Sequence, residues 1–223
     1  MPSSSSTSFT NLFRSHNLTY RALTSEPSTK SFIHTTLSTS PTTLAQSNDA
    51  LLKPLTSAEI DKYVDEISSE LLAVLICLPS TSTSPDRNSE KSSEDDSTPI
   101  GWLILSNPAR AAHHRCGSMG IVISAAHQSH GHGTEAITWA LDWAFGVAGL
   151  HSMHLGCFSF NEGAARLYAR LGFREEGRKR EVYWYRGKWW DDILMSILEG
   201  EWEELRSARD EGREKGAVKT REM

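Results

Sequence analysis

The segment QSHGHG, at residues 128–133, lies between a strand-like run and an amphipathic helical run. The strand-like run is SMGIVIS at residues 118–124, and apolar residues recur at helical spacing from Ile137 to Ala148. Glycines at 131 and 133 allow successive N–H groups to point at one place, where a helix start adds partial positive charge. The pattern predicts an anion-binding turn, although a tight turn without a ligand uses the same residues.

A second informative segment, NEGAARLYARLGF, occupies residues 161–173. It follows a strand-like run at residues 151–158. Asn161 is a residue type that caps helix starts, and Gly172 is suited to end a helix. The spacing of Leu167, Tyr168 and Leu171 is typical of one helix face. The segment therefore predicts a short helix directly after a strand.

The rest of the chain alternates in the same way. Five further strands are predicted, at residues 17–23, 71–78, 100–105, 180–186 and 189–198. A turn at Gly187-Lys188 joins the last two. Helices are predicted at residues 29–37 and after a capping box at Thr56–Glu59, while the stretch between them is ambiguous. We predict an α+β fold with a mixed sheet of six or seven strands and helices on both faces.

Two segments contain too few apolar residues to offset the entropy of ordering them: residues 1–16 and the Ser/Asp/Glu-rich insert at 79–99. The charged tail at 201–223 mixes acidic and basic residues, and we expect it to be peripheral, either unstructured or extending a helix with a solvated face. The insert separates two apolar strands, so we predict a hairpin with an expanded turn. One domain is expected over residues 17–200.

Composition excludes several classes of protein. The net charge of −5 and pI near 6.0 provide no basic field for nucleic acid or an anionic membrane. No run approaches the roughly 20 apolar residues of a membrane-spanning helix. Three widely spaced cysteines favour a reducing compartment. We expect a soluble cytoplasmic protein, with the nucleus as the alternative, because Arg14 and Arg21 are too few for a mitochondrial transit peptide.

Both segments resemble motifs of the GNAT acetyltransferases. Gln128-x-x-Gly131-x-Gly133 is similar to the family's [Arg/Gln]-x-x-Gly-x-[Gly/Ala] pyrophosphate loop. Residues 161–173 are similar to its N-x-x-A-x-x-L-Y-x-x-x-G-F helix, in the family's order and separation. The resemblance covers roughly residues 17–200 and is strong from 117 to 198. The stretch from Gly177 to Leu198 looks most like the RimJ/RimL branch.

The resemblance implies a centrally splayed sheet that binds acetyl-CoA as the acyl donor. The strand at Ile121, Val122 and Ile123 would part from the strand at residues 155–158 and pair with the pantetheine arm. Asn161, in a helix with Ala164, would hydrogen-bond the donor, although it could equally cap its own helix. Backbone amides after Gln128 would bind the pyrophosphate; they belong to Ser129, His130, Gly131, His132, Gly133 and Thr134.

The resemblance also assigns Tyr168 as the general acid that protonates the departing thiolate, a role that suits a phenol. The alternative from spacing alone is a tyrosine packed against the sheet. The general base is less clear, because residues 113–120 contain no carboxylate. His113, His114 and Glu181 are the candidates. The carbonyl oxygen would accept a hydrogen bond from an N–H near Val122 or Ile123.

The expected function is N-acetylation of an amine, either a protein N-terminal α-amine or a small-molecule amine such as a polyamine. The protein is expected to be a monomer or homodimer. No metal is expected, because His127, His130 and His132 lack a cysteine or acidic partner. The alternative is a catalytically silent protein of this fold that binds acyl-CoA as a sensor or scaffold. The missing carboxylate favours that alternative, whereas Asn161 and Tyr168 argue against it.

Overall fold

The computed structural model describes residues 12–79, 97–107 and 109–221. The disorder predicted for residues 1–11 and 80–96 lies outside these ranges. Residues 12–16, which were also expected to be disordered, pack against the domain. The indole Nε1 of Trp139 donates a hydrogen bond to the carbonyl oxygen of Leu12 at 2.9 Å, and Ser15 Oγ donates to Glu135 at 2.6 Å.

Seven strands form one sheet in the order β1-β2-β3-β4-β5-β7-β6. The strands are β1 (Thr19–Ala22), β2 (Leu72–Leu78), β3 (Thr98–Ser106), β4 (Cys116–Ile123), β5 (Ser152–Phe158), β6 (Arg174–Tyr185) and β7 (Lys188–Leu198). The β4–β5 pair is parallel and the other pairs are antiparallel. The antiparallel β2–β3 pair is the hairpin predicted on either side of the insert. These strands confirm the predicted α+β fold.

Helices cover both faces of the sheet. They are α1 (Pro27–Thr39), α2 (Pro41–Ser47), α3 (Ser57–Ser68), α4 (His132–Gly146), α5 (Glu162–Leu171) and α6 (Glu199–Arg221). One buried cluster joins residues of α1 and α3 to Trp102 and Val122 of the sheet. The other joins α4 and α5 to the opposite face, including Leu155 and Cys157. Within the described ranges, no helix combines the length and apolar character needed to cross a membrane.

Four local features differ from the predictions. Helix α2 lies in the stretch that was ambiguous from sequence. Strand β6 begins at Arg174, six residues before the predicted start, and pairs with β7 along its length. The hairpin turn lies at Arg186-Gly187, one residue earlier than predicted, and both residues have positive φ, 51° and 76°. Helix α6 carries the buried Trp202 into the core, so the expected domain boundary at residue 200 cuts through a packed element.

The parallel pair in the middle of the sheet is short. Only Cys116, Gly117 and Ser118 of β4 pair with β5, and the last partner is His154. Beyond that point β4 continues along β3 to Ile123, while β5 continues along β7 to Phe158. Because each strand follows a different neighbour, the two diverge and leave backbone groups on their facing edges unpaired. The predicted central splay is therefore confirmed.

Candidate functional site

A cleft of about 690 Å³ opens where β4 and β5 diverge. Ile121, Val122 and Ile123 of β4 form one wall, and α5 with the residues just before it forms the other. The volume lies within the range of roughly 300–1,000 Å³ that is typical of sites for small molecules and cofactors. The predicted residues that line it are Ile121, Val122, Ile123, Gln128, Ser129, Gly131, Gly133, Thr134, Asn161, Ala164 and Tyr168.

The N-terminus of α4 points its first turn at this cleft. Gly131 precedes the helix with φ 86°, a conformation that favours glycine, and no side chain caps the helix. Ser129 also has positive φ, at 63°. The first amides of α4 therefore have no side-chain acceptor, and the helix start adds partial positive charge to them. This arrangement fits an anion.

The loop before α4 is held by its own side chains. Gln128 Nε2 donates a hydrogen bond to the carbonyl oxygen of Ile123 at 2.9 Å. Nδ1 of His130 lies 2.6 Å from the carbonyl oxygen of Gln128. The Gln128 side chain thus ties the loop to the end of β4, and the backbone amides are the groups left for a ligand.

The side chains of His130 and His132 do not line the cleft. Their rings lie roughly parallel, with centroids 5.9 Å apart. Nδ1 of His132 is buried without a hydrogen-bond partner in the described structure. Burial lowers the pKa of His132, and the neighbouring His130 lowers it further. His132 therefore adds no positive charge to this loop at neutral pH.

Asn161 both lines the cleft and caps α5. Its Oδ1 accepts a hydrogen bond from the backbone N–H of Ala164 at 3.3 Å. The cap uses only the oxygen of this side chain, which leaves the Nδ2 group available to a ligand. The two interpretations of Asn161 are thus compatible: the cap is observed, and the contact with a donor stays a prediction.

Tyr168 lies on α5 and lines the cleft. Its ring contacts Phe173 edge to face, with centroids 5.9 Å apart. No hydrogen bond to its hydroxyl is found in the described part of the chain. Burial raises the pKa of Tyr168, and nearby Cys157 of β5 raises it further. The phenol therefore keeps its proton at neutral pH, as a general acid requires.

The three candidates for the general base do not line the cleft, and their role stays a prediction. His113 and His114 end a 3-10 helix, Ala109–His114, that precedes β4. The cleft opens at the other end of β4, roughly 20 Å along the strand at about 3.3 Å per residue. Glu181 is exposed on the edge strand β6, which β7 separates from β5. The sequence places His113 and His114 next to β4, but it does not show at which end β4 separates from β5.

Several residues of the cleft were not predicted. They are Thr43, Gln46 and Ser47 of α2 on one side, and His127, Phe160, Arg166, Leu167 and Arg170 among those on the other. Helix α2 had a usable signal, because Ser40 followed by Pro41 is a typical helix start. Ser40 Oγ accepts a hydrogen bond from the N–H of Thr43 at 3.2 Å. Nothing local indicated that this helix would reach β4.

In the described ranges, no group of three or more His, Cys, Asp or Glu side chains could hold a metal ion. The three cysteines are free. The cleft thus offers backbone amides, a helix start, a protonated phenol and two arginines at its rim.

Comparison with protein families gives a match to the Acetyltransferase (GNAT) family over residues 84–173. A spermidine N(1)-acetyltransferase of Vibrio cholerae serotype O1 is 34% identical over 89 residues, which are 40% of this chain and 51% of the relative. The [ribosomal protein uS5]-alanine N-acetyltransferase of Escherichia coli K12 is 29% identical over 48% of this chain and 55% of its own. The chain spans about half the length of these curated relatives. The RimJ/RimL branch therefore stays a prediction.

Solved structures share the fold over a larger part of the chain. The crystal structure of spermidine N-acetyltransferase from Vibrio cholerae in complex with CoA and spermine superposes with a TM-score of 0.65 and 23% identity. It covers 83% of this chain and 98% of that one. A GNAT-family acetyltransferase from Bacillus anthracis gives a TM-score of 0.64 at 16% identity. At these identities the likeness concerns the fold.

Proposed function

Since residues 84–173 match the Acetyltransferase (GNAT) family, we propose that the protein transfers the acetyl group of acetyl-CoA to an amine. The observation that carries this proposal is the fork between β4 and β5, which opens onto the uncapped start of α4. The unpaired strand edges suit the amide-bearing arm of the donor, and the helix start suits its pyrophosphate. One continuous cleft therefore matches the pantetheine arm and the pyrophosphate of the donor.

Within this proposal the amides of residues 129–134 bind the pyrophosphate. Arg166 and Arg170, on the exposed side of α5, add positive charge at the rim of the same cleft. Arg166 pairs with Glu162 at 3.0 Å, whereas no described carboxylate pairs with Arg170. The donor's amides pair with the free edge of β4, and Nδ2 of Asn161 reaches the donor from the opposite wall.

Tyr168 provides the proton for the departing thiolate. When the amine nitrogen bonds to the thioester carbon, the C–S bond breaks and sulfur keeps the electron pair. The N–H of Ile123, on the edge of β4 that faces the cleft, would stabilise the charge on the carbonyl oxygen. The raised pKa of Tyr168 keeps its hydroxyl protonated at neutral pH. Within the described structure, no hydrogen bond to another residue competes for this hydroxyl.

The acceptor is a primary amine, of one of two kinds. Relatives named for spermidine and for the alanine of ribosomal protein uS5 lie at similar identity. They support a polyamine and a protein α-amine to a similar extent. A net charge of −5 is compatible with a cationic acceptor but is too small to choose one. The test therefore includes both kinds of acceptor. The oligomeric state, monomer or homodimer, stays a separate prediction.

The test begins with thermal unfolding of the purified protein with and without acetyl-CoA. Ligand at about 100 times its dissociation constant should stabilise the native state by about 2.7 kcal/mol. Turnover is then measured with spermidine and with a short peptide that begins with alanine. Tyr168→Phe should reduce kcat by about 100- to 10,000-fold and retain the thermal shift. The variant should fold, because the hydroxyl that it lacks has no hydrogen bond in the described structure.

Three outcomes are informative. A thermal shift with turnover that depends on Tyr168 supports the proposal. A shift without turnover of any amine favours the silent acyl-CoA-binding sensor or scaffold. No shift at saturating acetyl-CoA contradicts both, and the glycine loop is then only a turn.

A further inference from the structure

Two glycines lie just beyond the point where β4 and β5 stop pairing. The last pair is Ser118 with His154, and two residues further along come Gly120 and Gly156. Alternate residues of a strand share a face. These glycines therefore lie on the face of Val122, which packs in the cluster of α1 and α3. The Ile104 side chain fills the space beside Gly120. Gly156 is exposed, so the apex of the fork is accessible from that face at Gly156.

Asp192 of β7 lies beside this opening. It pairs with Phe158 of β5 in the antiparallel register, so its side chain shares the face of Phe158 and Gly156. A Cβ atom added to Gly156 would lie 3.1 Å from Oδ1 of Asp192. Burial raises the pKa of Tyr183, and Asp192 and then Asp49, just after α2, raise it further. Leu44 of α2 packs with the cluster on this face of the sheet, so the carboxylate is on the side that α2 covers.

The Asp192 carboxylate has few partners for a buried charge. The residue is 8% exposed, and its nearest cation is Lys179 Nζ at 3.6 Å, on a side chain that is 61% exposed. No hydrogen bond to the carboxylate is found among the described residues. Buried carboxylates are usually hydrogen-bonded, because desolvation is costly without a partner. The cross-strand Lys179 is therefore the one ion-pair partner that the described structure gives this carboxylate.

Tyr168 lies on the other side of the same strand. Cys157 of β5 belongs to the cluster that contacts α5, and it is near enough to both groups to interact electrostatically. Burial raises the pKa of the Cys157 thiol to about 11, and Asp192 contributes to that rise. Cys157 in turn raises the pKa of Tyr168. Tyr168 and Asp192 therefore flank β5 at the apex of the fork.

We propose that Asp192 is the general base of the transfer and that the acceptor amine approaches from the face covered by α1, α2 and α3. This inference rests on the proposed function and supplies the group that residues 113–120 lack. The attacking nitrogen needs a base and the leaving sulfur needs an acid, and the two groups must lie at separate positions around the thioester carbon. Asp192 on one side of β5 and Tyr168 on the other meet this requirement.

The neutral amine forms the C–N bond with the thioester carbon, and a proton of the nitrogen passes to the Asp192 carboxylate. The C–S bond breaks, its electron pair remains on sulfur, and sulfur takes the proton of Tyr168. Asp192 then releases its proton to solvent, and the Tyr168 phenolate takes one from solvent.

The experiment uses Asp192→Ala in the full-length protein, with the better of spermidine and the alanine peptide as acceptor. We expect kcat to fall by about 100-fold or more, while the thermal shift with acetyl-CoA is retained. Added formate should restore at least about tenfold of the lost rate, because it can replace the missing carboxylate. Asp192→Asn, which preserves the shape of the side chain, should show the same loss without rescue.

Asp191→Asn is the matched control. Asp191 accepts a hydrogen bond from the Glu181 N–H at 3.0 Å and pairs with Arg178 at 3.4 Å, so it braces the β6–β7 hairpin. Its kcat should stay within about threefold of wild type and should not respond to formate. A wild-type rate in Asp192→Asn would overturn the proposal. So would a loss in Asp192→Ala that formate does not restore, which would indicate a structural role.

Failure of the proposed function gives a different result. A wild-type protein that binds acetyl-CoA but acetylates neither acceptor would overturn the transferase assignment, and the role of Asp192 with it. A wild-type protein that acetylates one acceptor, with Asp192→Asn equally active, would overturn only the role of Asp192.

Discussion

Helices α3 and α4 begin in opposite ways. At the start of α3, Thr56 Oγ1 accepts a hydrogen bond from the N–H of Glu59 at 3.3 Å, and the Glu59 carboxylate accepts one from the N–H of Thr56 at 2.9 Å. This confirms the predicted capping box. At the start of α4, Gly131 provides no side chain at all. One helix start is satisfied by its own residues, and the other is left for a partner.

The difference separates stability from binding. A good N-cap contributes about 1 kcal/mol to a helix, and α4 lacks one where two glycines also clear space around its amides. Helix α5 is intermediate, because Asn161 caps it with its oxygen and keeps its amide nitrogen. The start of α3 lies away from the cleft, whereas those of α4 and α5 line it. An open helix start beside a cleft is thus better evidence for a ligand than a glycine pair in the sequence.

The largest expected effect comes from a negative charge at the open helix start. Gly133 lies in the first turn of α4, and a Cβ added there meets Leu167 Cδ2 at an ordinary 3.4 Å. Gly133→Glu should weaken acetyl-CoA binding by about 100-fold, or about 2.7 kcal/mol, because the carboxylate repels the phosphates. The same charge favours the helix itself, so the melting temperature without ligand should not fall by more than a few degrees. Isothermal titration calorimetry measures the affinity.

Gly133→Gln is the control for this variant, since it has the same shape without the charge. It should bind acetyl-CoA more tightly than Gly133→Glu. Equal affinity of Gly133→Glu and wild type would remove the distinction between the two helix starts.

A smaller effect is expected when the cap of α3 is removed. Thr56→Ala removes the oxygen that accepts the N–H of Glu59, and the free energy of unfolding should fall by about 1 kcal/mol. The acetyl-CoA affinity should not change, because α3 does not line the cleft. Urea unfolding measures the first quantity and calorimetry the second. Thr56→Ser retains the hydroxyl and should lie close to wild type; a matching loss in Thr56→Ser would show that the cap is not the cause.

The smallest expected effect concerns the stability of the fold at low pH. The ion pair with Lys53, followed by the hydrogen bonds to Thr56, lowers the pKa of Glu59 from its ordinary 4.5 to about 2. A carboxyl group with a lowered folded-state pKa stabilises the fold above pH 4.5, and this contribution is lost as the pH falls towards 2. The difference in melting temperature between wild type and Glu59→Gln should therefore become smaller as the pH falls from 4.5 towards 2. Melting temperatures from pH 6 to pH 2.5 test this, and a constant difference would contradict it.

Strong local signals predicted much of the fold. The apolar period of α4, the Thr56–Glu59 box, and the Asn161 and Gly172 ends of α5 all depend on residues within about four positions of each other. The spacing of the two glycine-containing motifs was sufficient to indicate a resemblance to the GNAT acetyltransferases. The residues assigned to donor binding from that resemblance mostly line the cleft, because the motifs lie directly on the strand, loop and helix that form the cleft.

Asp192, which we propose as the general base, was absent from the sequence predictions for a physical reason. His113 and His114 lie close in sequence to the start of β4, but β4 separates from β5 towards its other end. Strand pairing alone decides where the two strands separate. Asp192 is 24 residues from Tyr168 in the chain and comes near it only because β7 pairs with β5. Its sequence context, between Trp190 and Ile193, is that of an ordinary strand.

The amino-acid sequence by itself determined the elements, their order, the helix caps and the glycine loop, because these follow from interactions between near neighbours along the chain. The tertiary structure decided where β4 and β5 part, that α2 reaches the cleft, and that a carboxylate of β7 stands across β5 from Tyr168. These depend on which distant strands share hydrogen bonds and which faces are buried together, and no short segment carries that information.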